Sequence, residues 1–258
     1  MFLDPVMERY VAHVRTTHAI SLDFAYRVNQ FGNRALFAVG VSPHDAKELL
    51  LSTLLRRILT SFQACIIISE RGLPLEAQVL LRTVLEVTFK IVAIANDEEV
   101  AQLFIGEGLI NKRKKFEKLR KLNSTDFQVE LDEMSEAHKV LAEKIKTEGI
   151  RELTTFEFAK RAGLESFYHS AYSVLSDAVH ASVNTLDGTL DLDAQGDLVG
   201  LKYGFSDDDL DDHVFTACEA LMISLKAALS VIGPDLVEEV QELQNDFAKA
   251  YGAVKSAG

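Results

Sequence analysis

His169, Ser173, Ser176, His180 and Asn184 follow one another at spacings of four, three, four and four. On a helix turning about 100° per residue they fall within an arc of about 80° and form one polar line. Tyr172 and Asp177 flank it. The line holds imidazoles, hydroxyls and an amide, with no Lys or Glu. Solvated helix faces favour Lys and Glu, so these uncharged hydrogen-bonding groups suit a shielded cleft or an interface. Phe167, Ala171, Val174, Ala178 and Ala181 make the opposite, core-directed side. Two readings follow. The stripe binds or transforms a ligand, or its groups satisfy one another on a half-buried face.

A second set lies on the segment 74–96. Leu75, Val79, Leu80, Leu81, Val84, Leu85, Val87, Phe89, Ile91 and Val92 run all round this helix, which marks it as central. Yet Arg82, Glu86 and Lys90 follow at i, i+4 and i+8. Charges on a central helix must be paired, at a cost of about several kcal/mol otherwise. One outcome is a buried ion network. The other is a cleft in which Arg82 meets an anion and Glu86 orients a histidine. The expectation is that helices 74–96 and 165–186 pack side by side, with Arg82, Glu86 and His180 in one cluster. Arg82, Glu86, Ser176 and His180 are then the candidate catalytic residues. His169, Tyr172, Ser173 and Asn184 are candidate binding residues.

The third set is basic. Lys112, Arg113, Lys114, Lys115, Lys118, Arg120 and Lys121 make seven of the ten residues from 112 to 121 cationic. Cations at a helix C-terminus suit the dipole, and the run could hold a phosphate backbone. Alternatively it is a solvated face, or a partner for the nine aspartates between Asp187 and Asp212. A di-metal helical bundle needs paired Glu-x-x-His motifs, and none occurs. Dinucleotide, Walker, nucleophile-elbow and zincin motifs are absent too, so no cofactor and no metal are expected.

The elements that must position these residues read as helices. Asp4-Pro5 starts one over roughly 5–31. Ser42 caps another over 43–70 with Pro43 in its first turn, and Gly72 ends it. Further helices are expected over 74–96, 98–122, 125–148 and 165–186, with a short one opened by a Thr154/Glu157 capping box. Thr189–Asp193 and Leu198–Tyr203 alternate around Ala194-Gln195-Gly196-Asp197, a β-hairpin signature. Ser206 with three aspartates opens a helix reaching about 232. Gly233-Pro234 separates it from a last helix over 235–251, with a frayed tail. The expectation is an all-α bundle of about eight helices with one hairpin insert near 189–203. It forms a single domain over 1–258, softest near 146–154.

The 258 residues are 48% hydrophobic, enough for a sizeable core. A net charge of −12 argues against nucleic-acid binding by bulk attraction, though not against a local basic groove. Cys65 and Cys218 sit alone in apolar helices and read as buried thiols of a reducing compartment. The opening residues MFLDPVMERY lack a signal-peptide pattern. Glu76, Arg82, Glu86 and Lys90 interrupt the apolar stretch 73–95, so no membrane span is expected and a cytoplasmic location is.

The stretch RGLPLEAQVLLRTVLEVTFKI, followed about ninety residues later by YSVLSDAVHAS, resembles a family of bacterial helical proteins known only as a domain of unknown function. The resemblance covers roughly residues 45–235. It pairs an Arg-x-x-x-Glu helix, Arg82 and Glu86 here, with a Leu-Ser-x-x-x-His helix, Ser176 and His180 here. More distantly the chain resembles HEPN proteins, helical dimers that include ribonuclease toxins and abortive-infection effectors. Their signature, an Arg then a His after four to six residues, precedes none of the seven histidines. In that likeness His180 is the acid or base, Arg82 steadies the phosphate from another helix, and the 112–121 run holds the backbone. The resemblance implies a metal-independent, ribonuclease-like defence or toxin effector acting on RNA or another phosphodiester. The alternative is a non-enzymatic helical homodimer that binds a small ligand or a partner protein through the same stripe.

Overall fold

The computed structural model describes residues 5–121, 139–179 and 189–257. Its helices are α1 (Met7–Thr17), α2 (Ala19–Ala38), α3 (Ala46–Glu70), α4 (Pro74–Asn96), α5 (Glu98–Lys121), α6 (Thr155–Arg161), α7 (Glu165–Phe167), α8 (Ser176–Val179), α9 (Leu210–Ile232) and α10 (Val237–Ala257). A further helical stretch spans 139–147. The fold is an all-α bundle with one small two-stranded insert.

At the centre α3, α4 and α9 pack against one another, with α2 and α10 along α9. The apolar residues that encircle α4 explain its place. Leu81, Val84, Leu85, Phe89 and Ile91 are each at most 1% exposed. Phe215 of α9 meets Phe24 of α2 and Phe247 of α10 at centroid distances of 6.4 and 5.6 Å. Such aromatic contacts add to the burial of area. Thr88 and Ser224 join α4 to α9 through a buried hydroxyl pair at 3.1 Å. By length and composition α3 and α9 could each cross a membrane, unlike the 73–95 stretch weighed above. Here their apolar faces line the shared core.

Gly72 turns the chain between α3 and α4 with φ +69°. A Cβ there would lie 2.7 Å from the Tyr10 ring and 2.9 Å from the Ser206 nitrogen, so only glycine fits. The Thr154/Glu157 capping box forms as expected. Antiparallel β1 (Leu190–Leu192) and β2 (Leu198–Leu201) form the hairpin, and the register shifts between Asp191 and Leu192, a bulge. The Asp193 carboxylate accepts from the amides of Gln195 and Asp197 to close its turn.

Five boundaries differ from the expectations. The helix expected to open at Ser206 starts at Leu210, because the Ser206 hydroxyl closes a turn on the Asp208 amide and Asp209 takes a left-handed conformation with φ +56°. The first helix breaks at His18, whose ring is drawn to Asp207 and Asp211 across the bundle. Asp45, not Ser42, caps α3, accepting from the amides of Lys47 and Glu48. The final helix continues to Ala257 rather than fraying. The expected helix over 165–186 is interrupted. α7 passes into a π turn at Tyr168–Tyr172 and a turn at 173–175 before α8. His180 and Asn184 lie outside the described residues.

Candidate functional site

The π turn governs where the polar stripe goes. The Ser173 amide donates to the Tyr168 carbonyl, five residues back. The wider loop adds a residue to the turn, so the four-and-three spacing no longer keeps one face. His169 and Ser173 are exposed, Ser176 is half-buried, and Tyr172 is 6% exposed. Val174, assigned to the core side, is instead 69% exposed, and Leu175 takes its place at 7%. The Ser173 hydroxyl turns back to the His169 carbonyl at 2.5 Å.

Rings, not hydroxyls, build the floor of the site. Tyr172 stacks on Tyr168 at 5.0 Å and meets Phe89 edge-on at 5.7 Å. His169 packs at the rim between Phe156 and Tyr168, at 5.7 and 5.4 Å. Here α4 supplies its cation. The Arg82 guanidinium carbon lies 4.5 Å from the centre of the Tyr172 ring, a cation–π contact. The helix carrying the stripe therefore does lie against α4, through the π turn and α8.

Glu86 does not join Arg82. It accepts from Lys90 at 3.1 Å, the favoured Glu-to-Lys direction along a helix. Lys90 also lies 5.8 and 5.9 Å from the rings of Phe104 and Phe158. Among the described side chains no carboxylate pairs with Arg82, and its buried Nε has no hydrogen-bond partner. The expected contact of Arg82 and Glu86 with His180 falls outside the described residues.

Within the basic run, Lys112, Lys114, Lys115 and Lys118 are exposed and Arg113 is half-buried. Arg113 pairs with Glu117 and Lys114 with Glu152, and among the described residues no ion pair links the run to the aspartates of the 187–212 stretch.

Two charged clusters escaped the sequence reading. Glu70, 2% exposed at the end of α3, accepts from Arg15 Nε and Nη2 at 3.1 and 2.9 Å and from the Tyr26 hydroxyl. Burial, then the bond to Glu70, pushes the Tyr26 phenol up to about 12. A pocket of about 220 Å³ adjoins this cluster, lined also by Asn29, Gln63 and Ile67. No spacing signals it, because its members come from α1, α2 and α3. The second cluster links the α1–α2 corner to the start of α9. His18 Nε2 lies 3.2 Å from Asp207, and Nδ1 lies 3.0 Å from Asp211 but out of hydrogen-bonding line. Ser21 also donates to Asp211. Nearby, His213 contacts Gln78 at 3.3 Å, and burial lowers its pKa. A cavity of about 730 Å³ opens beside this cluster between the starts of α4 and α9 and the hairpin.

Burial pushes the Cys65 thiol up to about 12 and raises the Cys218 thiol well above its ordinary value, so both are protonated, unreactive core residues. Among the described residues no cluster of three metal-ligating side chains occurs.

The profile of a family of unknown function, DUF5677, matches residues 48–197. No curated protein matches, nor does any solved structure. The matched span runs from α3 through β1 and the hairpin turn, and stops before β2. It contains Arg82, Tyr172 and every other candidate site residue, while α9 and α10 lie beyond it. More than half of the chain is covered, and the chain belongs to the DUF5677 family.

Proposed function

We propose that this chain is a binding module that recognises an anionic group, a phosphate or a carboxylate, through Arg82 on its aromatic floor. One observation carries the reading. Arg82 is half-buried on the central helix, stacked on Tyr172, with an unpartnered Nε and no carboxylate partner among the described side chains. An arginine fixed against a ring keeps its planar fork oriented, which suits bidentate capture of an oxyanion. Glu86 does not neutralise it, because Lys90 already holds Glu86.

The test is a thermal melt of the full chain with inorganic phosphate at constant ionic strength. Phosphate should raise the midpoint of the wild type, and Arg82→Gln should remove the rise. Arg82→Lys should restore little of it, since lysine keeps the charge and loses the fork and the stacking. An equal rise in wild type and Arg82→Gln, or none in either, sinks the reading.

A second reading has support of its own. Lys112, Lys115 and Lys118 are exposed and unpaired among the described residues, as a phosphodiester-binding surface requires. On that reading the anion is an RNA phosphate, and His180 supplies acid–base chemistry. Filter binding of a short single-stranded RNA decides it. Charge reversal at the three lysines should weaken binding and flatten its salt dependence, and His180→Ala should stop cleavage without changing retention. Absence of RNA retention at low salt excludes it.

A further inference from the structure

The hairpin presents apolar side chains to solvent. Leu192, Leu198, Val199 and Leu201 are between 50% and 71% exposed. A two-stranded hairpin is marginal by itself in water, and an apolar patch on a soluble surface marks a place where something docks. The patch is continuous with the 730 Å³ cavity, since Thr189 and Lys202, which flank the strands, also line that cavity. The cavity wall is acidic, with Glu76, Asp207, Asp208 and Asp209 against the single cation Lys202. Asp191 and Asp197 extend the negative surface along the hairpin, and both are exposed. A matching partner is therefore cationic with some exposed apolar surface.

The chain carries such a surface at the end of α5. Lys112, Lys115 and Lys118 are exposed and unpaired among the described residues. Ile105 on the same helix is 43% exposed, and Val140 on the 139–147 stretch is 65% exposed. Among the described residues no ion pair joins this surface to the hairpin. The ion pairs it makes go to Glu117 and Glu152. We propose that the acidic, apolar hairpin surface receives the lysine-rich end of α5 from a second copy of the chain. The two copies exchange these contacts about a two-fold axis. An isologous interface of this kind uses one acidic and one basic patch per subunit, each met once by its complement. A chain of net charge −12 otherwise repels itself, so local complementarity must supply the attraction.

The test uses the full chain in sedimentation equilibrium. The wild type should dimerise, and the dimer should weaken about tenfold or more from low to high salt as the charges are screened. Variant A, Lys112→Glu with Lys115→Glu and Lys118→Glu, should be monomeric. Variant B, Glu76→Lys with Asp191→Lys and Asp197→Lys, should be monomeric as well. All six positions are exposed, and circular dichroism checks that both variants fold. Mixed one to one, A and B should form a heterodimer. The acidic arm of A then meets the basic surface of B, and the native arm of B meets the native surface of A. Leu198→Asp should abolish every dimer. A monomeric wild type overturns the proposal. So does a dimer indifferent to charge reversal, or one lost in Leu198→Asp but retained in A and B. Failure of A and B to pair overturns the reciprocal geometry.

Discussion

Glu70 shows how a single charge is kept in a core. A carboxylate 2% exposed must have its oxygens satisfied, and Arg15 and Tyr26 do this from two other helices. The Arg15 side chain is 55% exposed, so solvent screens part of the attraction. Arg15→Ala, which strands Glu70, should cost about 1–3 kcal/mol in urea unfolding, below the loss for a fully buried pair. A midpoint unchanged from wild type would show that Glu70 finds water or another donor. Tyr26 adds a pH signature. Its phenol is raised from 10.0 to about 12 in the fold by burial, then by its bond to Glu70, against the opposing charge of Arg15. A raised acid contributes stability below its unfolded value and loses it as pH climbs through its folded value. Unfolding free energy should therefore fall between pH 10.0 and about 12. Tyr26→Phe should make that fall shallower, leaving the similar contribution of Tyr10, also raised to about 12. An identical slope in both proteins would refute the assignment.

At the scale of elements, the Thr154/Glu157 box is the clearest case of a sequence signal becoming structure. Thr154 Oγ1 accepts from the Glu157 amide at 3.2 Å, and Glu157 accepts from the Thr154 amide at 2.8 Å. Thr154→Ala should cost about 1 kcal/mol, read by chemical denaturation, and a cost near zero would mean that α6 is held by packing alone. The Thr154 amide, then Arg151, lowers the Glu157 carboxyl from 4.5 to about 2. A depressed acid stabilises above its unfolded value, so this contribution fades as pH falls from 4.5 towards 2, and Glu157→Gln should blunt that acid limb. Local chemistry of this kind was legible, as were the hairpin, the Gly72 stop and the centrality of α4. The π turn was not. Periodicity assumes 3.6 residues per turn, and one five-residue hydrogen bond sends Val174 outward and Tyr172 inward. Arg82 was legible as a charge on a central helix. Its partner was not, because a flat aromatic ring from a distant segment leaves no spacing signature. The break at His18 was missed likewise, and the carboxylates that face its ring, Asp207 and Asp211, come from far along the sequence.

The whole molecule divides its apolar burial unequally. One continuous cluster joins α2, α3, α4 and α9 and reaches α6 and α10. Ile110, Phe116 and Ile145 are buried at 6–7% exposure yet stand outside that cluster. They belong to the arm formed by the end of α5 and the 139–152 segment. There Ile150 closes on Gly106, where a Cβ would meet it at 2.6 Å, and Lys114 pairs with Glu152. A small satellite core opens at lower free energy than a large contiguous one, so the arm should unfold below the global transition. Hydrogen exchange followed by mass spectrometry separates the two. Amides of α4 and α9 should exchange at the global rate, and those of 106–118 much faster. Ile145→Ala should speed exchange in the arm and leave the bundle's denaturant midpoint nearly unchanged. Leu85→Ala, at 0% exposure in the main cluster, should lower that midpoint by about 2–5 kcal/mol in free-energy terms. If Ile145→Ala shifted the global midpoint as Leu85→Ala does, the arm would be part of one cooperative unit. A separately opening arm also fits a surface that docks elsewhere: its lysines can adjust to an acidic partner without disturbing α4, where Arg82 must stay fixed on Tyr172.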